Sequence, residues 1–261
     1  NSKFITQSLS SSDIVSGKAF TLDALENTLA RINRQAGVKV VSVLRPGEGQ
    51  GFSNIDIQVT EEPQLSAVLE VNNYGSKSTG EYRAIPQIDV TNLTGRGDNL
   101  SFTGMHTLDG EGAYYARLAY NTPINTRGTK INGYYAFGNV KVGEELARLD
   151  IKGDNNGWGL GILQDYIENP NNLFQFEGWL ESYNVKQEIL GMKTAEDKIR
   201  KLRLGVNYES LTSNSRSFYS LNLHQGFGEN FGGMENDSVF STRAISNADN
   251  EFTKISFDWM R

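Results

Sequence analysis

Apolar and polar residues alternate through residues 81–92. Tyr82, Ala84, Pro86, Ile88 and Val90 fall on one side of an extended chain. Arg83, Gln87, Asp89 and Thr91 fall on the other, and only Ile85 is out of step. Successive side chains of a strand point to opposite faces, so this stretch reads as a strand with one apolar and one wet face. The pattern returns to the end of the chain. It recurs at Ala67–Val71, Leu100–Phe102, Tyr114–Tyr120, Ile131–Phe137, Trp158–Ile167, Phe174–Leu180, Leu202–Tyr208, Tyr219–Leu223 and Ile255–Trp259. Turn-rich stretches at 75–80, 93–97, 109–112, 125–128 and 169–172 separate these segments. About ten strands result, most of them eight to twelve residues long. Residues 138–156 are charged and weakly patterned, which predicts a longer loop or a less regular strand pair. Residues 188–198 read as a polar excursion, and 226–250 as a Gly/Asn-rich loop.

The chain before residue 65 has a different grammar. Residues 1–16 are polar and Ser-rich and predict no defined element. Thr21 is a reasonable helix N-cap with Asp23 in the first turn, and Leu22, Leu25, Leu29 and Ile32 recur at three- and four-residue steps. Gly37 is placed to end that helix. Val38–Leu44 and Asn54–Thr60 then read as strands around a Gly-rich turn. Helix, strand, turn and strand make a small α+β unit over residues 1–63, leaving 64–261 as the all-strand part.

The apolar faces meet either a core or a membrane. No run approaches the roughly 18 apolar residues of a spanning helix, but barrel strands give only weak hydropathy signals. Hydrophobic residues are 38% of the chain, with 27 glycines, 13 Phe, 11 Tyr and 3 Trp, which suits a structure whose inward positions are polar. Aromatics near strand ends (Tyr74, Tyr120, Phe137, Tyr208, Trp259) resemble interfacial girdles. Strand follows strand for nearly 200 residues without a helix to cover an edge, and closure would remove that edge. A net charge of −6 argues against nucleic acid as a partner, and the absence of cysteine excludes disulfides and thiolate sites. A chain that begins at Asn1 reads as a mature product or a fragment.

Chemistry-bearing clusters are sparse. His106 and His224 are far apart and lack neighbouring carboxylates, and no Gly-x-Ser-x-Gly elbow occurs, so an enzyme is not expected. Gly157-Trp-Gly-Leu-Gly161 fits small residues inside a strand better than a nucleotide loop. Asp150–Asn156 could ligate calcium, although a solvated loop is the simpler account. Arg83, Gln87, Asp89, Arg117, Glu177, Glu181, Lys201 and Arg203 lie mid-strand on the polar face. They are either merely wetted or line a channel along which an extended polypeptide slides. The strand Val38, Lys39, Val40, Val41, Ser42, Val43 and Leu44 could present a free edge to an incoming chain, unless Lys39 guards that edge against pairing.

Four stretches resemble, in order and spacing, the second POTRA domain of two-partner secretion transporters. They are Gly17-Lys-Ala-Phe-Thr-Leu-Asp-Ala-Leu-Glu26, Arg31-Ile-Asn-Arg-Gln-Ala-Gly-Val38, Leu44-Arg-Pro-Gly-Glu48 and Ser53–Glu62. The transporters concerned are the TpsB proteins of the ShlB/FhaC/HecB-like branch of the Omp85 superfamily. The likeness continues in Asn73–Arg83, Asn92–Asp98, Tyr120-Asn-Thr-Pro-Ile124, Lys201–Val206 and Leu221–Gly226. It implies a mainly β fold: part of an antiparallel transmembrane β-barrel, about ten of some sixteen strands, preceded by a small α+β POTRA-type domain. It also implies a monomeric barrel in the bacterial outer membrane with its N-terminal domain in the periplasm, in contact with lipid and needing no cofactor. A secreted TpsA-type exoprotein, an adhesin or cytolysin, would pass through it unfolded. An Omp85-type insertase, a passive porin and a soluble β-rich protein are the alternatives.

Overall fold

The structure is a computed structural model that describes residues 2–110, 112–246 and 248–261. Asn1, Glu111 and Asn247, which fall in predicted loop or terminal stretches, lie outside the described residues.

Two helices and two strands form the N-terminal unit: α1 (Ser2–Ser10), α2 (Leu22–Asn33), β1 (Val38–Pro46) and β2 (Ser53–Glu61). Helix α1 corrects the sequence expectation for residues 1–16. Its Ser8 and the following Ser12 spend their hydroxyls on carbonyls one turn back, Phe4 and Ser8, at 2.9 and 3.2 Å, and the packing of Ile5 and Leu9 into the core of the unit holds the Ser-rich segment helical. Helix α2 begins as expected, with the Thr21 side chain accepting from the Ala24 N–H at 3.2 Å. Such a cap contributes about 1 kcal/mol. The helix ends at Asn33 rather than at Gly37, which instead takes φ +77 to steer the chain into β1. Leu22 leaves the predicted stripe and is exposed, and Thr28 is buried in its stead. Ile5, Ile32, Val38 and Val40 make the core of the unit, with Leu9, Leu29 and Ile57 packed around it.

The remaining ten strands form one antiparallel sheet in strict chain order: β3 (Leu65–Asn72), β4 (Arg83–Thr91), β5 (Asn99–Thr107), β6 (Ala113–Pro123), β7 (Thr129–Lys141), β8 (Lys152–Asn169), β9 (Asn172–Ile189), β10 (Met192–Leu211), β11 (Arg216–Phe227) and β12 (Thr253–Met260). The sheet is open, with β3 and β12 at its edges. Strand count and phase agree with the alternation. Lengths do not: β8 and β9 have 18 residues each and β10 has 20. The predicted excursion at 188–198 is therefore mostly strand, turning only at Leu190-Gly191, where both residues take positive φ. Residues 138–156 divide between the ends of β7 and β8 and a 3-10 helix, Glu144–Leu149.

Short turns (92–98, 124–128, 170–171, 212–215) gather at one rim of the sheet, here the near rim. Most of the longer connections lie at the far rim. Pairing fixes the two faces. Leu69, Ile88, Phe102, Leu118, Tyr135, Trp158, Leu180, Leu204, Leu221 and Phe257 share the outer face, where large apolar side chains stand exposed. Across β9 to β12 the rings of Phe174, Tyr208, Tyr219 and Trp259 follow one another as near-parallel stacked pairs along that face, with centroids 4.5, 6.0 and 6.4 Å apart. Among the described residues no helix is long and apolar enough to cross a membrane, which says nothing of strands.

Pro86 sits opposite Leu69 of β3, but on the β5 side pairing passes from Ala84–His106 to Gln87–Thr103 without a change of register. No extra residue is inserted, so this is a gap in the ladder rather than a bulge. The ring finds room because residue 104 is glycine: a Cβ there would come within 3.1 Å of Pro86 Cγ.

Candidate functional site

The inner face carries the predicted mid-strand charges, and register decides which of them meet. Lys201 is paired with Glu181, and Glu177 with Gly205, across β9 and β10, so Glu177, Glu181, Lys201 and Arg203 converge. Arg203 Nη1 bonds Glu177 Oε1 at 2.5 Å and Asn222 Oδ1 at 3.2 Å, while its Nε lies 3.6 Å from Glu181 Oε2. Lys201 Nζ stands 3.2 Å from that same Glu181 oxygen. The other Glu181 oxygen accepts from the hydroxyls of Tyr183 and Tyr134 at 2.9 and 3.2 Å. Trp179 donates its indole N–H to Glu177 Oε2 at 2.8 Å. The rings cover the cations: Arg203 over Trp179, Lys201 over Tyr183, and Arg117 over Tyr134 with its guanidinium carbon 4.7 Å from the centroid. Of these, Arg117, Tyr134, Trp179, Glu181, Tyr183 and Arg203 line a concavity of about 470 Å³.

The aromatic rings lie flat because strand β8 presents no side chain beneath them. A Cβ on Gly159 would come closer than contact distance to the Tyr134 ring, and one on Gly161 closer than contact distance to that of Trp179. This is why glycine occupies every second position of 157–161. Both carboxylates are answered by cations in the wall itself. The surface therefore presents balanced polar groups instead of bare charges of one sign.

Arg83, Gln87 and Asp89 do not join this cluster. Arg83 bonds Asn72 Oδ1 at 3.3 Å, Gln87 is exposed, and Asp89 lines a separate concavity nearer the turns. That second site forms where the N-terminal unit meets the near rim. Asp165, whose side chain is 2% exposed, faces Lys130 Nζ at 3.4 Å and Arg34 Nε at 3.8 Å, and accepts from Gln175 Nε2 at 2.8 Å. Lys130 also donates to the Arg34 carbonyl at the C-terminal end of α2, where the helix dipole favours a cation. Arg31 Nη1 reaches the Thr126 carbonyl at 3.4 Å, and the Ala36 N–H reaches that of Gly97 at 3.3 Å. Gly37 is tight against Asn92 and Thr91. The helix end is thus fastened to the inner side of the rim by a buried carboxylate and two cations.

Strand β1 pairs along its length with β2, leaving its other edge. Asn33 occupies part of that edge by taking both backbone groups of Val40. In an antiparallel pair alternate residues turn their N–H and C=O away from the partner, so Val38, Ser42 and Leu44 face the same way as Val40. Lys39 lies beside the strand with its Nζ 2.9 Å from Glu62, whose hydrogen bond and charge raise the lysine pKa.

Sequence reasoning missed Tyr134, Trp179, Tyr183 and Asn222 on the wall, and Arg34, Lys130 and Asp165 at the seam. His106 and His224 remain apart on opposite faces of the sheet. The acidic stretch considered for calcium is dispersed: Asp150 pairs with Lys152 at 2.8 Å, and Asp154 accepts from Asn139 at 2.7 Å. No group of three or more possible metal ligands occurs among the described residues.

Residues 51–260 match the family described as haemolysin secretion/activation protein ShlB/FhaC/HecB. Among curated relatives, the heme/hemopexin transporter protein HuxB of Haemophilus influenzae strain 86-028NP is 24% identical over 98% of this chain and 45% of its own length. HuxB of strain Rd is 26% identical over 85% of this chain and 39% of its own. The chain thus spans less than half the length of these relatives. Among solved structures, CdiB from Escherichia coli superposes with a TM-score of 0.78 at 18% identity, over 99% of this chain and 48% of that one. CdiB from Acinetobacter baumannii gives 0.64 at 16% identity, over 86% and 43%. These likenesses show the fold.

Proposed function

The chain belongs to the ShlB/FhaC/HecB family, two-partner secretion transporters of the Omp85 superfamily with outer-membrane β-barrels, and from that premise we propose that it is part of a pore exporting a large partner exoprotein. In this reading residues 1–63 are a POTRA-type domain in the periplasm, and 64–261 are the N-terminal part of a monomeric barrel whose apolar outer face meets lipid. The near rim is then periplasmic and the far rim extracellular. The β1 edge catches the partner's secretion domain by strand pairing, and the barrel passes the partner unfolded, without a cofactor.

The observation that carries the reading is the continuity of the inner surface. Polar side chains run from the end of α2, past Asp89, Asn121, Asn132 and Gln175, to the Glu177–Arg203 cluster. The opposite face of the same strands is apolar. A passive porin would need the wall but no α+β unit fastened to its rim.

The test is deletion of residues 17–63 from the complete protein, reading both the exoprotein in the medium and the porins in the outer membrane. Loss of the exoprotein alone is expected. Unchanged secretion would sink the proposal, and loss of porins instead would point to an insertase.

A further inference from the structure

Register sets Asn99 of β5 opposite Asn121 of β6, and Asn121 opposite Asn132 of β7. Three asparagines therefore stand side by side on the inner face close to the near rim. Gln35, just beyond the end of α2, reaches over them from the N-terminal unit. Its Nε2 donates to the Arg31 carbonyl at 3.3 Å, and its stem fits against Gly97, where a Cβ would leave it no room. These four amides line a concavity of about 490 Å³ between the unit and the wall.

Three of the amide atoms there lack a partner although solvent scarcely reaches them: Gln35 Oε1, Asn99 Oδ1 and Asn132 Nδ2. A buried polar atom left unpaired costs about 1–3 kcal/mol, so amides that hold two acceptors and one donor in this state gain by turning toward an occupant offering both. Most of the lining charge is answered from within, Asp89 being the remaining carboxylate of the lining. Arg34 and Lys130 face Asp165, and Glu62 faces Lys39. Water offers donors and acceptors as well, but solvent scarcely reaches these three atoms as they stand. Peptide backbone offers one of each at every residue other than proline, whatever the sequence.

We propose that this seam is a sequence-independent binding site for the backbone of an extended polypeptide, held by the side-chain amides of Gln35, Asn99, Asn121 and Asn132. It rests on the export reading and adds what that reading leaves open: how a wall can hold a long chain of varied sequence where the chain leaves the α+β unit. Neutral amides hold backbone without selecting side chains, and the next inward residues on β6 and β7 lead to Arg117 and Tyr134 of the wall cluster.

The experiment uses the complete protein in detergent micelles with a benzophenone amino acid in place of Leu163, which lines the seam but is not one of the amides. Two probes are offered: a Gly-Ser repeat peptide, and a polysarcosine of equal length whose N-methylated backbone donates nothing. Crosslinking of the Gly-Ser peptide is expected to exceed that of polysarcosine about tenfold, the worth of roughly one hydrogen bond. N99L combined with N132L, which keeps shape but removes donor and acceptor, is expected to abolish the preference. Equal crosslinking of the two polymers overturns the proposal, as does full preference in the double variant. If that variant does not assemble, the polymer comparison on the unaltered amides decides. Secretion of the exoprotein is measured separately. Polymer discrimination without secretion would defeat the export reading alone, and secretion without discrimination would defeat this inference alone.

Discussion

Asn33 holds Val40 by both of its backbone groups: its Oδ1 accepts from the Val40 N–H at 2.7 Å, and its Nδ2 donates to the Val40 carbonyl at 2.9 Å. The last residue of α2 thereby acts as a short third strand on β1. Val40 is buried, so N33A strands a donor and an acceptor that water reaches poorly. A cost of about 2 kcal/mol is expected, which is about a thirtyfold faster amide exchange across 38–44 if opening of the unit governs exchange. Exchange measured by mass spectrometry checks it, and an unchanged rate would mean that the amide pairing contributes nothing.

Glycines of the sheet divide by what lies above them, Gly159 on the inner face and Gly178 on the outer. G159A pushes Tyr134 off its seat and with it the bond to Glu181, whereas G178A meets Leu204 Cδ2 at 3.5 Å and Ile162 Cγ2 at 3.9 Å, both ordinary contacts. Overpacking costs about 1–3 kcal/mol. G159A is therefore expected to lower the temperature at which the folded sheet opens in a heat-modifiability gel, and G178A to leave it unchanged.

Much of this was legible beforehand, and the omissions have physical reasons. Strand number and phase follow from alternation because the outer face is apolar wherever it runs through the middle of the sheet. At the far rim the outer positions become Asp154, Asn184, Lys186 and Glu188, alternation fades, and the long ends of β8 to β10 read as loop. Glu177, Glu181, Lys201 and Arg203 could be picked out as mid-strand charges. Their convergence needs cross-strand register, which no single segment contains. Tyr134 and Trp179 were missed because an inward aromatic and a girdle aromatic look alike until the glycine beneath is seen. The Asp165 seam joins residues more than a hundred positions apart and leaves no local signal.

Acid should loosen the β4–β5 turn only at low pH. Asp98 is solvent-inaccessible, and burial alone would raise its pKa. Hydrogen bonds from the Thr94 N–H and hydroxyl at 3.0 and 2.8 Å, and from the Tyr120 hydroxyl at 3.0 Å, outweigh that and hold it below the ordinary 3.8. A depressed folded pKa means that the stabilisation is complete above the unfolded value and is lost as pH falls through the folded one. Amide exchange in residues 92–98, corrected for its intrinsic pH dependence, should be flat from neutrality to about pH 5 and rise below 3.8. D98N should remove that rise. A rise beginning near pH 6 would contradict the assignment.

The β1 edge gives the sharpest test of how a partner would be caught. Ser42 directs its N–H away from β2, as Val40 does, whereas Val43, opposite Asp56, directs its own toward β2. Proline removes an N–H and prefers an extended residue before it, which β1 already supplies. S42P therefore deletes a donor from the free edge and leaves the β1–β2 ladder complete, while V43P breaks the ladder. If the exoprotein pairs with this edge, S42P should cut its secretion about tenfold while amide protection in β2 stays as it was, and V43P should lose both. Full secretion by S42P, with β1–β2 protection intact, would show that capture does not use the backbone of this edge.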